Sequence, residues 1–114
     1  MALAAVLIAF SFGRTGGNII PFTVTIAATG RVQVSGPVHV GRHALTKAQL
    51  SALSRVATQV QFSSMQGAMC PRTLPDVAST FIRHASRTVR VHGACIPAYQ
   101  RLWNALGAAV KLRY

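Results

Sequence analysis

Phe22–Ser35 reads FTVTIAATGRVQVS, and its spacing decides the fold. Phe22, Val24 and Ile26 alternate with threonine and alanine, and Val32 and Val34 alternate with polar residues. That period of two marks half-buried strands. The apolar faces then set the turn. A three-residue loop, Ala28-Thr29-Gly30, places Ile26 opposite Val32 and Val24 opposite Val34. A two-residue Thr-Gly turn would set Ile26 against Gln33 and mix the faces, since a one-residue slip inverts every side chain. Gly30 takes the left-handed position of the loop. A hairpin with one apolar face needs a second layer to cover that face.

The cover lies downstream. Gly36-Pro37 ends the strand and Val38–Arg42 resumes extended structure. Thr46-Lys47-Ala48-Gln49 has the pattern of a capping box, in which the Thr46 hydroxyl and the Gln49 side chain each satisfy a backbone N–H of the other. Leu45 and Leu50 form the matching hydrophobic staple. Leu50, Leu53, Val56, Ala57 and Val60 share one helical face, so a helix is predicted to run to about Val60, with Phe62 anchoring its exit. Pro97 suits the first turn of a second helix. Tyr99, Leu102, Trp103, Leu106, Ala109 and Val110 recur at helical spacing, which places Trp103 in the core, and Lys111 and Arg113 fall where a helix C-terminus favours cations.

Between the helices, Ser63–Pro75 (SSMQGAMCPRTLP) is a loop by composition. Val77–His92 is a second hairpin turning near Ala85-Ser86, with Ile82 opposite Val89 and Thr80 opposite Val91. Phe81, Arg83, Thr88 and Arg90 fall on its other face, and Arg83 and Arg90 beside Phe81 form a candidate anion contact. At the start, ALAAVLIAF (Ala2–Phe10) has the length of a secretion-signal core but is too short to span a membrane. The expectation is a signal-peptide remnant or frayed terminus over Met1–Ala5, followed by a first strand over Val6–Phe12. The fold class is α+β: one domain over 6–114, an antiparallel sheet of four to six strands with both amphipathic helices packed on one face.

Cys70 and Cys95 are the only cysteines. An even count in a small chain suits one disulfide in an oxidising compartment. The alternatives are two free thiols, or zinc held by His92 and Cys95 as an H-x-x-C half-site with Cys70 and either His84 or His39; no second paired half-site exists to complete it.

The 114 residues contain twelve Lys or Arg against a single acidic residue, Asp76, for a formal charge of +11. One carboxylate leaves no acid–base pair for glycoside chemistry, no cluster for Mg²⁺ or Ca²⁺, and one Asp for any triad. His39, His43, His84 and His92 are dispersed, and no G-x-S-x-G elbow accompanies Ser63 or Ser64. No motif implies a cofactor or metal. The ten arginines are scattered without a basic run, against the interleaved pattern of a specific nucleic-acid binder. Arg14-Thr15-Gly16-Gly17-Asn18 lacks phosphate-loop spacing and stands as a candidate contact loop.

The order of elements over residues 8–112, together with Arg14-Thr15-Gly16-Gly17, resembles two sets of small bacterial domains. One is a secreted or lipoprotein family of unknown function. The other, more loosely similar, is the emfourin-type inhibitors of thermolysin-like metalloproteases, which carry an Arg-[Ser/Thr]-Gly-Gly signature near the start. The first set often has cysteines where this chain has Gly16–Pro21, and the inhibitors tend to be acidic. The resemblance implies a secreted or periplasmic, non-enzymatic, monomeric binding domain. Its partner would be a macromolecule such as an extracellular protease; the loops Arg14–Pro21 and Ser63–Pro75 are the expected places of contact, because contact residues concentrate on loops held by a rigid scaffold. A basic domain for nucleic acid or acidic polysaccharide is the alternative.

Overall fold

The computed structural model describes residues Leu7–Tyr114. The leader remnant expected over Met1–Ala5, and Val6 with it, lie outside the described residues. In chain order the elements are β1 (Ile8–Thr15), β2 (Phe22–Ala27), β3 (Val32–Ser35), β4 (His39–Val40), α1 (Lys47–Gln59), a single 3₁₀ turn (Phe62–Ser64), β5 (Ala68–Met69), β6 (Ser79–His84), β7 (Arg87–His92), α2 (Pro97–Val110) and β8 (Leu112–Arg113). The main sheet runs β3-β2-β1-β6-β7-β5, and β4 pairs with β8 in a small second sheet. The class is α+β, as the sequence predicts.

Both hairpins adopt the predicted register. Ile26 faces Val32 and Val24 faces Val34, while Ile82 faces Val89 and Thr80 faces Val91. Register here follows from burial: Phe10, Phe12, Val24, Ile26, Ile82, Val89 and Val91 all point to one face and are excluded from water. The helices supply the other half of the core, Leu53 and Ala57 from α1 and Tyr99, Leu102, Trp103, Leu106 and Val110 from α2. Trp103 meets the Phe12 ring edge to face at 5.4 Å, so it packs the core as expected. The opposite face of the sheet carries Ser11, Thr25, Gln33, Arg83, Thr88 and Arg90 and, among the described residues, no helix.

The start of α1 forms as predicted. The Gln49 N–H donates to Thr46 Oγ1 at 3.1 Å and the Thr46 N–H donates to Gln49 Oε1 at 2.8 Å. Leu45 and Phe62 are buried at either end of the helix. Under α2, Tyr99 shares a 2.8 Å hydrogen bond with the Thr80 hydroxyl. Burial raises the Tyr99 phenol to about 12, with the Thr80 hydrogen bond and the charge of Arg90 pulling the other way. Tyr99 therefore remains a neutral hydroxyl in the core at neutral pH.

Two expectations are corrected. β1 does not stop at Phe12 but runs through Gly13-Arg14-Thr15, because both flanks are paired: Arg14 lies opposite Phe22 on one side and Thr80 on the other. Ser63–Pro75 is not loop throughout. It opens with the 3₁₀ turn and adds β5 parallel to β7, Ala68 opposite Val91 and Met69 opposite His92; the Cys70 N–H continues the ladder to the His92 carbonyl at 2.8 Å. Lys111 and Arg113 fall just past Val110, the last residue of α2, near its C-terminal end as expected. Lys111 takes a left-handed conformation at the helix cap, and the reversed chain pairs Arg113 with His39 and Leu112 with Val40.

Candidate functional site

The antiparallel order of β1, β2, β6 and β7 puts the β1–β2 connection and the segment preceding β6 at the same end of the sheet. Thr15 pairs with Ser79, so Gly16-Gly17-Asn18 leaves β1 directly beside Asp76-Val77-Ala78. The Asn18 N–H donates to the Asp76 carbonyl at 3.1 Å. Gly17 is left-handed at φ +64, and a Cβ there would sit 2.5 Å from that carbonyl. The close approach of the two loops thus depends on glycine at this position.

The segment before β6 is tethered at its far side. Cys70 and Cys95 are bridged, S–S 2.08 Å. The bond ties the residues after β5 to the residues before α2. Both sulfurs are engaged with each other, so the His92–Cys95 half-site has no thiolate for zinc. His92 donates from Nε2 to the Val77 carbonyl at 2.8 Å, another tie between the same loops. A carbonyl only accepts, so Nε2 carries the ring proton.

With the backbone held this way, apolar side chains are left in water. Ile20 is 71% exposed, Leu74 64% and Met69 84%, and Ile19, Val77 and Tyr114 are exposed at the same end. Exposed apolar side chains are ordinary singly; grouped on adjoining loops they mark an interaction surface. Arg14 and Thr15, expected in a contact loop, belong to the end of β1, leaving Gly16, Gly17 and Asn18 in the loop itself. The Arg14 guanidinium lies 4.4 Å from the Tyr114 ring centroid and donates to the Tyr114 hydroxyl at 3.1 Å, so its cation is held against the rim. The sequence pattern of β1 did not reveal that contact, which joins residues a hundred positions apart.

Arg83 and Arg90 share the uncovered sheet face beside Phe81, as expected, with Arg90 opposite Phe81 and 5.6 Å from its ring centroid. His84 lies at the other end of the sheet from Asp76, its Nδ1 engaging the Ala9 carbonyl at 2.7 Å; His39 and His43 are exposed, and His92 meets the backbone of Val77, next to Asp76. Among the described residues, no three His, Cys, Asp or Glu side chains come together as a metal site would require. Among the described residues, no helix is long and apolar enough to cross a membrane. No protein family, curated protein or solved structure matches the chain.

Proposed function

We propose that the protein is a secreted, non-enzymatic, monomeric binding domain that grips a protein partner with the loop end of its sheet, and that the partner is an extracellular protease. The observation carrying this reading is that the loop Arg14–Pro21 meets the segment just after the second marked stretch, Ser63–Pro75, through the Asn18–Asp76 hydrogen bond, while Ile20, Leu74 and, on β5, Met69 are presented to solvent. A few apolar anchors on a rigid rim supply most of the affinity of a typical interface. Loops held on a scaffold are where such anchors occur. The disulfide suits an oxidising compartment. The Arg-Thr-Gly-Gly resemblance adds the protease as partner.

The alternative, a surface for nucleic acid or acidic polysaccharide, has less support because several cations are engaged within the chain. Arg14 is held by Tyr114, Arg42 donates to the Ala109 carbonyl at 2.9 Å, and Arg101 donates to Gln59.

The test is titration of a thermolysin-like metalloprotease with the whole protein. Expected is a saturable loss of protease activity at micromolar protein, abolished in the exposed-residue double variant Ile20→Ser, Leu74→Ser, whose own stability changes by about 0.5 kcal/mol or less. Full protease activity with no measurable complex sinks the protease reading.

A further inference from the structure

The opposite end of the sheet holds a feature with a different chemistry. There the end of α1, the 3₁₀ turn and the β6–β7 turn enclose a cleft of about 650 Å³, whose polar lining comes from Thr58, Gln61, Ser63, Ser64, His84 and Arg87. None of these is acidic, and the one carboxylate of the chain, Asp76, belongs to the loop end. His84 and Arg87 are directly opposite each other across the two-residue turn.

Arg87 is under-satisfied. Its Nη2 donates to the Met65 carbonyl, while its Nε is buried with no acceptor among the described residues. A guanidinium has five N–H donors and full charge at any working pH. A neutral carbonyl matches only part of that, and a buried donor without a partner is costly. Nη1 is neither bonded to a described residue nor buried, so the fork keeps an open corner.

His84 is fixed beside it. Its ring stacks on Phe10 at 4.2 Å between centroids, and Phe62 packs against it at 65°. With Nδ1 donating to the Ala9 carbonyl, Nε2 is the ring nitrogen left over. It has no partner among the described residues and is not buried. Of the hydroxyls, Thr58 bonds to the Ser54 carbonyl at 3.1 Å and Ser64 to the Gln61 carbonyl at 3.3 Å, which leaves Ser63 unengaged. The rim is also strained: Gln61, Ala85 and Ser86 are left-handed at φ +56, +49 and +64. Non-glycine residues held there cost about 1–2 kcal/mol each and cluster at ligand clamps.

We propose that this cleft binds a tetrahedral oxyanion, a phosphate or sulfate group. Arg87 on β7 would supply charge and its open Nη1, His84 on β6 a ring nitrogen, and Ser63 on the 3₁₀ turn a hydroxyl. Polar groups arriving from three elements suit a tetrahedral group; a planar carboxylate would match the guanidinium alone. The group comes either as the free ion or as an ester on a larger molecule.

The experiment is an amide NMR titration of the whole protein with sodium phosphate, sodium sulfate, glycerol phosphate and sodium acetate at constant ionic strength. Expected are saturable shifts with phosphate or sulfate, confined to residues around Gln61–Ser64 and Ala85–Arg87, with acetate weaker by about tenfold. Tighter binding of glycerol phosphate than of the free ion would assign an ester; the reverse would assign the ion. Arg87→Gln weakens binding by about tenfold or more, and the exposed Ser63→Ala, which leaves the fold intact, by about threefold. The loop-end variant Ile20→Ser, Leu74→Ser binds the anion unchanged, so this site and the loop-end reading can fail separately. Shifts spread over all arginines, no saturation at millimolar anion, or Ser63→Ala binding phosphate as tightly as the parent would overturn the proposal.

Discussion

The two ends of the sheet join their strands in opposite ways. At the turn end, β2–β3 and β6–β7 are closed by the shortest connections that their registers allow, and the backbone there bends through the left-handed region at Gly30, Ala85 and Ser86. At the loop end, Gly16–Pro21 and the stretch from Cys70 to Ala78 are longer, and they are held by a disulfide and by backbone hydrogen bonds. The difference has a physical consequence for each surface. Covalent and backbone ties order the loop end without burying its side chains, so Ile20, Leu74 and Met69 remain available for contact. The turn end is ordered by packing around His84 and Phe62, so what stays unsatisfied there is polar.

Cutting the covalent tie should give the largest effect. Cys70→Ala with Cys95→Ala removes a bridge between residues 25 positions apart, worth roughly 3.5 kcal/mol on chain-entropy grounds. Thermal unfolding should drop by on the order of 15 °C, and hydrogen exchange should rise first at Asn18 and around Asp76 while the turn end keeps its protection. Equal loss of protection at both ends would erase the contrast.

The next effect falls on the turn end. A Cβ on Gly30 would lie 2.1 Å from the Leu45 carbonyl at φ +96, whereas one on Gly16, at φ +73, meets nothing within 4 Å. Gly30→Ala should cost about 3 kcal/mol, strain and clash together. Gly16→Ala should cost about 1 kcal/mol, strain alone. Chemical denaturation of both variants reads the difference, and equal costs would mean that the tight end has room to relax.

Much of this was legible in the sequence, and the boundary of legibility is itself physical. The Thr46–Gln49 cap and the Ile26–Val32 and Ile82–Val89 pairings depend on side chains close in sequence, whose chemistry is local. The parallel strand β5, the β4–β8 pair and the Arg14–Tyr114 contact depend on segments brought together by the rest of the fold, and no local pattern signals them. The cleft lies between these cases. A turn at Ala85-Ser86 already implies that His84 faces Arg87. That the 3₁₀ turn closes over the pair is set by the way α1 ends, at the left-handed Gln61.

The smallest effect should be a gain. Ala85 and Ser86 are both left-handed, the geometry of a type I′ turn, which favours Asn-Gly. Ala85→Asn with Ser86→Gly should stabilise the domain by about 1 kcal/mol, seen as a higher denaturation midpoint with unchanged m-value. No gain would indicate that the strain is already relieved by contacts across the cleft.

The pairing of β1 with β6, from Phe10↔His84 to Thr15↔Ser79, bears on how the chain reaches this state. β1, β2 and β3 form a meander of near neighbours, and β6 with β7 forms another. These two units meet along one seam whose partners are some 60 to 75 positions apart. Each unit can assemble early from its own turn, but closing the seam must overcome the entropy of the long intervening chain. Until it closes, β1 carries an unpaired edge next to Phe10 and Phe12. Folding should therefore be limited by one late docking event, and the seam is the line along which two copies could trade halves.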